Sequence, residues 1–459
     1  MSNLSLIVVL LILMALGYQL GTRRSRNVAT VNPNVPMHSR HHHYGVMVGL
    51  WAVLPAFLIL ILWLWLSPSV INNMMLAQLP ADVISLPAEE LRVISQRIAN
   101  LANNFGVVAD ATEWELLAAE HLTRLKANSA IVLTALMAVI AAIGLLFSLL
   151  KITPRLKARH QVERVVKALL ILCSTVAILT TIGIVLSMVG ETLKFFSFIS
   201  PVDFFFGTTW NPRFSTVGAG AQGSFGLVPL LAGTVLIAVI AMLVAIPLGL
   251  LVAVYLAEYA PLKLRNTAKP IIEVLAGIPT IVYGFFALVT VGPFLNHLGA
   301  AVGLDIRATS ALTAGVVMGI MIIPFISSLS DDIITQVPKS MRDGSLGLGA
   351  TKSETILKVV LPAALPGIVG AILLAASRAI GETMIVVLAA GNSPALTANP
   401  FEAVSTVTVT IVNQLTGDND FSSPQSLVAF ALGLTLFVIT LLLNIMALVI
   451  VRKYREQYE

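Results

Sequence analysis

Three ionisable residues stand inside otherwise apolar runs of this sequence: Glu273, Arg378 and Glu382. A charged side chain near the middle of a membrane helix costs about 2.5–3.5 kcal/mol on insertion scales, so such residues face a protein interior or an aqueous path. Arg378 and Glu382 are four apart, which on a continuous helix puts them on one face where they can pair. A structural ion pair is one reading. The other is an anion path, because a guanidinium in a dry passage offers a rigid fork of donors to a phosphate-like oxyanion. Glu382 would then hold the arginine in place and prevent irreversible trapping of the anion. Glu273 lies nearer one end of its run, where it can snorkel.

The elements that must position these residues follow from composition. Of 459 residues, 57% are hydrophobic and 11% charged, and the mean hydropathy is +0.92. These values exclude a disordered chain and a soluble enzyme, and they point to an all-α polytopic membrane protein. Runs of roughly 20 apolar residues predict nine spans, at 4–20, 44–66, 128–150, 168–189, 227–256, 270–295, 308–328, 360–390 and 427–451. The first run reads as a span rather than a signal peptide. It has no basic residue before it and no cleavage site, and Arg23, Arg24 and Arg26 follow it. Loops after odd-numbered spans, with the tail, hold twenty Lys or Arg; loops after even-numbered spans hold seven. The asymmetry predicts an outside amino terminus and an inside carboxyl terminus. The net charge of +5 is therefore a matter of topology and calls for no nucleic-acid partner.

Two blocks emerge. Residues 1–150 carry three spans, 151–166 form a basic linker, and 167–459 carry six spans with both ends inside. The outside loop 67–127 has helical periodicity. Ser85 is suited to cap a helix with Leu91, Ile94, Ile98, Leu101 and Phe105 on one face and Gly106 as its stop. Thr112, Glu113 and Glu115 start a second helix. Such a hairpin packs on itself or docks a partner protein. Gly218, Gly220 and Gly223 match a dinucleotide-loop spacing but lack the strand–helix context, and no phosphate-binding P-loop occurs. His38 and His41–His43 form a loop without flanking Cys or acidic ligands, so no metal site is predicted. Cys173 reads as a small buried hydrophobe. Gly45/Gly49 and Gly315/Gly319 have the spacing of close helix contacts.

The inside loop 329–358 is long for a plain connector. Asp331 and Asp332 open it, Pro338 interrupts it, and Gly344, Gly347 and Gly349 loosen it. Ser353 is suited to cap an amphipathic run from Glu354 to Val360, after which Leu361-Pro362 ends the run and starts a span. Pro247, Pro279 and Pro324 interrupt spans where bending would occur.

This loop resembles the E-A-A loop of ATP-binding-cassette importer permeases. Asp343, Gly344 and Ser345 stand in for E-A-A, Gly349 for the glycine, Val359 for the hydrophobe, and Leu361-Pro362 for the end. Trp210-Asn-Pro212, Phe225 to Pro229, Gly233-Thr234, Tyr255 to Glu258, Ala276 to Gly284 and Ser377 to Thr383 resemble the PstC family of phosphate permease subunits. The resemblance covers about 165–455. It implies a six-helix type I importer core in a bacterial inner membrane, without an ATPase site or bound cofactor of its own. It also implies a PstA-like second permease, two PstB-like ATPases that use ATP and Mg, and an extracytoplasmic phosphate-binding protein. The family's transport-linked Arg and Glu fall on Arg378 and Glu382. A secondary transporter or channel, a membrane scaffold or sensor, and an importer of another oxyanion such as phosphonate remain rival readings. The block 1–150 lies outside what the resemblance explains.

Overall fold

A computed structural model describes residues 3–31, 33, 35–80, 83, 87–103, 112–212, 223–417 and 423–455. The chain divides into two compact units, Met1–Ile178 and Leu179–Glu459. The division falls inside a helix, beyond the basic segment 151–166. Among the described residues eight helices are long and apolar enough to cross a membrane. Another helix of 29 residues occupies the place of the first expected span.

In the first unit, α1 (Asn3–Val31), α2 (His41–Leu76) and α4 (Glu113–Leu150) pack around Leu6, Leu10, Ala56, Leu60, Leu133, Met137 and Ala141. Gly45 and Gly49 do serve a close crossing. A Cβ on Gly49 would stand 3.1 Å from the Met14 carbonyl of α1, and one on Gly45 2.7 Å from the Tyr18 carbonyl. The hairpin expected within 67–127 is α3 (Ala88–Ala102) against the first turns of α4, with Ile98, Ala119 and Leu122 buried between them. Its second arm is no separate helix, because α4 runs unbroken into the third span. The start expected at Thr112 is a capping box: Glu115 accepts from the Thr112 amide at 2.8 Å, and its other oxygen lies 3.3 Å from Arg97 Nε of α3. Ser85, Phe105 and Gly106 lie outside the described residues, as do Gly218 and Gly220.

Cys173 is exposed on α5 (Ala158–Phe198), not buried. On an apolar helix the bilayer replaces a protein core as the cysteine's apolar surroundings.

The second unit is built on α10 (Ala311–Gln336), its most enclosed membrane helix. Against it lie α7 (Val228–Tyr259), α12 (Lys352–Ile380) and α13 (Met384–Ala389). Their shared core includes Ile237, Ala241, Met318, Ile322, Ala375 and Ile385. The carboxyl-terminal α15 (Pro424–Arg455) packs on α12 and on α14 (Val407–Gly417). At one end, Phe195, Phe204 of the short α6 (Pro201–Phe206), Trp210 and Phe225 stack edge to face, and the two-residue strands β1 (Trp210–Asn211) and β2 (Ser224–Phe225) pair antiparallel.

Two expected spans change shape. The run 270–295 is interrupted at Gly277–Pro279, giving an amphipathic α8 (Leu262–Ala276) with no buried residue and a membrane helix α9 (Thr280–Val302). Glu273 therefore sits on α8, outside the spanning helix. The run 360–390 is interrupted at Gly381–Thr383, and its first part reaches back to Lys352 as one helix.

Prolines are accommodated in a repeated way. Wide, π-type turns at Tyr255–Tyr259, Ala287–Val291 and Ile356–Val360 each precede an X–Pro pair: Ala260-Pro261, Gly292-Pro293 and Leu361-Pro362. In each, the amide before the proline bonds five residues back, to Tyr255, Ala287 or Ile356. A proline ring clashes with the carbonyl four residues earlier. That carbonyl lies inside the wide turn every time, and the amide before each proline keeps a backbone partner.

The Gly315/Gly319 face meets α7 directly. A Cβ on Gly319 would stand 2.8 Å from Val244 Cβ and 2.9 Å from the Ala241 carbonyl. Gly319→Val should therefore overpack this crossing by about 1–3 kcal/mol, seen as a lower unfolding midpoint in detergent. Gly183→Ala, where nothing lies within 4 Å, should leave the midpoint unchanged.

Candidate functional site

Arg378 occupies the last turn of α12, which Gly381 caps. Its guanidinium carbon lies 5.6 Å from the Phe325 ring centroid, and Nη2 lies 3.9 Å from Met321 Sδ, both on α10. The rest of the side chain is exposed. Arg378 and Glu382 form no ion pair. The helix ends between them, so the four-residue spacing no longer places them on one face. The Glu382 carbonyl accepts from Thr408 Oγ1 at 2.8 Å, while its half-buried carboxylate has no partner among the described residues. Arg378 thus has no acidic partner among the described residues, and its fork of donors, with only Met321 Sδ as acceptor, lies beside an aromatic face.

Beyond Glu382 the surroundings are rich in hydroxyls and amides. Asn392 Oδ1 accepts from Asn413 Nδ2 at 3.0 Å and from Ser405 Oγ at 3.4 Å, and Thr406 and Thr408 hydroxyls meet at 3.0 Å.

The other end of α12 holds the predicted loop residues. Because α10 continues to Gln336, the loop proper is shorter than expected, spanning 337–351 around α11 (Lys339–Gly347). Asp343 and Gly344 are exposed on α11. The Ser345 and Thr355 hydroxyls meet at 2.9 Å and tie α11 to the start of α12. Gly349 makes the turn with φ +90°, a conformation side chains disfavour. Thr351, not Ser353, caps α12. It accepts from the Glu354 amide, and Glu354 accepts back from the Thr351 amide at 2.9 Å. Leu361 and Pro362 do not terminate the run, because the wide turn at 356–360, which contains Val359, carries the helix through them. Gly344, Ser345, Gly349, Glu354, Lys358 and Val359 line one open hollow. Pro247 and Pro324 lie within α7 and α10, and Pro279 precedes α9.

These observations meet the comparisons with known proteins. Residues 245–456 match the model of binding-protein-dependent transport system inner membrane components, and residues 7–180 match that described as phosphate ATP-binding cassette transporter. A probable ABC transporter permease protein, YqgH, of Bacillus subtilis is 33% identical over 272 residues, covering 59% of this chain and 84% of that protein. The phosphate transport system permease protein PstC of Mesorhizobium japonicum is 34% identical over 255 residues, covering 51% of this chain and 73% of that one. PstC of Haemophilus influenzae is 33% identical over 264 residues, covering 54% and 80%. This chain belongs to the PstC family of phosphate ABC importer permeases. It is a multi-pass inner-membrane permease subunit, and the amino-terminal block has a matching family model of its own.

The permease also contains a charged staple that residue spacing did not suggest. Asp331, buried near the end of α10, accepts from Arg265 at 3.0 Å and from Lys269 at 2.7 Å, both on α8. Lys269 reaches Asp332 at 2.6 Å, and Arg265 reaches Thr335 at 2.9 Å. Ending the seventh span where its apolar run stops hid this, since it assigned Asp331 to a loop. A second pair joins Arg342 of α11 to Glu258 in the last turn of α7, at 3.2 Å. Lys352 Nζ lies over the Tyr259 ring, 4.8 Å from its centroid.

Burial alone would lower the Lys269 pKa, but the hydrogen bonds to Asp331 and Asp332 outweigh it and hold it above the ordinary value. The contribution to stability is complete below the ordinary lysine pKa and is lost only as pH climbs through the raised one. Asp331→Asn should cost about 3 kcal/mol, seen as a lower unfolding midpoint. The wild-type staple should contribute equally at neutral and mildly alkaline pH, checked by melting across that range.

Proposed function

We propose that this permease couples ATP hydrolysis in partner subunits to phosphate movement past Arg378 by way of α12. The observation that supports this reading is the continuity of Lys352–Ile380. One helix begins at the E-A-A-type loop and ends at the arginine. On this reading, Asp343, Gly344, Ser345, Gly349, Val359, Leu361 and Pro362 form the ATPase contact. Leu348, 91% exposed in the loop, adds apolar surface for a protein partner. A PstA-like chain completes the passage, two PstB-like ATPases bind ATP and Mg inside, and a phosphate-binding protein delivers substrate outside. This chain holds no cofactor and no ATPase site. Pro247, Pro279 and Pro324 are the hinges of alternating access. The amino terminus lies outside and the carboxyl terminus inside, as the basic residues ask.

Arg378 attracts phosphate, and the unpaired Glu382 carboxylate beside the route limits how long the anion stays. Arg378→Gln should lower phosphate uptake by the reconstituted complex about 10- to 100-fold, with subunit assembly intact. Arg378→Lys should retain an intermediate rate, because charge remains while the fork is lost. Full uptake by an assembled Arg378→Gln complex would remove Arg378 from the route.

A further inference from the structure

The first unit carries a charged surface that transport leaves unused. Segments 21–43 and 151–167 contain ten Lys or Arg and a single acid, Glu163. Topology explains the sign of this charge. It does not explain why the fold gathers the two segments into one platform. The His38 amide donates to the Pro154 carbonyl at 2.9 Å, and Tyr44 hydroxyl donates to the Leu156 carbonyl at 2.9 Å. Ser39 Oγ accepts from the Arg159 amide at 3.3 Å. Beneath these bonds lie Tyr44, Met47, Val48, Ile152 and Ala158, all buried.

Arg159 pairs with Glu163, and Lys151 lies over the Phe147 ring. The other eight cations, among them Arg26, Arg40, Arg155 and Lys157, are exposed, and their side chains have no acidic or hydrogen-bonded partner among the described residues. The platform also gathers the amino-terminal ends of two long helices, α2 and α5, whose free amides add positive potential. Arg40 stands at the start of α2 and supplies no side-chain cap. Concentrating like charges on a folded surface opposes the fold through self-repulsion. Among the described side chains of the unit, only Glu163 pairs with one of these cations.

We propose that this platform binds phosphate-bearing ligands through its unpaired arginines and lysines. The chemistry suits an anionic phospholipid headgroup in the adjacent leaflet or free inorganic phosphate. This inference does not depend on the route past Arg378.

The test uses the full chain. Purified wild type is examined by native mass spectrometry for retained phosphatidylglycerol or cardiolipin after exchange into phosphatidylcholine nanodiscs doped with each. A parallel sample is titrated with labelled inorganic phosphate. A triple variant, R40Q/R155Q/K157Q, should bind the favoured ligand about 100-fold more weakly. R40K/R155K, which keeps the charge, should retain most binding and shows that the platform still folds. Selective retention of anionic lipid assigns a headgroup site, and saturable phosphate binding assigns a soluble-anion site. Absence of both in wild type, or equal binding by the triple variant, overturns the proposal.

Discussion

A membrane helix must satisfy its backbone hydrogen bonds internally, and a proline removes one of them. The permease core depends on how that constraint is met at Pro362. The wide turn at Ile356–Val360 sends the Leu361 amide to Ile356 and keeps the helix whole from Lys352 to Ile380. At 29 residues and about 1.5 Å per residue it is about 43 Å long. A break at Leu361-Pro362 would separate the 337–351 loop from the rest of α12. With the helix intact, the loop and Arg378 are two ends of one element.

The charged contacts make sense against that rod. Its first turn is pinned by the Thr351–Glu354 capping box and the Ser345–Thr355 contact. Nearby, Arg342 holds the loop helix to Glu258 of α7, and Asp331 holds the amphipathic α8 to α10 through Arg265 and Lys269. Glu258 belongs to another wide turn before a proline. Displacement of the loop therefore reaches α7 and α12 through short polar contacts, while α10 is clamped to α8. At the far end Arg378 leans on Phe325 and Met321 of α10, so movement of the rod against α10 changes what the guanidinium touches.

Much of this was legible in the residues. Apolar run length located the helices, since bilayer thickness sets their minimum length. The small-residue spacing at Gly315 and Gly319 predicted a close helix contact, and the structure makes α7 the partner. Helix ends were harder to read. Hydropathy marks where apolar residues stop, whereas a helix stops where its caps are. The span ending at 328 therefore lost Asp331, and the run 360–390 joined Arg378 to Glu382 across a helix end. Capping residues compete locally, so Thr351 displaced Ser353. Pro362 read as a terminator because the wide turn that rescues it has no sequence signature beyond the proline itself. The ion pairs of Asp331 and Glu258 join residues distant along the chain, and only tertiary structure brings them together.

The central claim is that the coupling loop and Arg378 move as one rigid element. Spin labels at K352C and L374C, in a chain whose single cysteine is replaced by C173S, would measure it in the assembled, lipid-reconstituted complex. Pulsed electron resonance should give one narrow distance of about 33 Å, the same with ATP and without, while distances from either label to α10 change with nucleotide. A broad distribution, or a K352C–L374C distance that shifts by several ångströms on ATP binding, would show that α12 bends at Pro362 and would contradict the account.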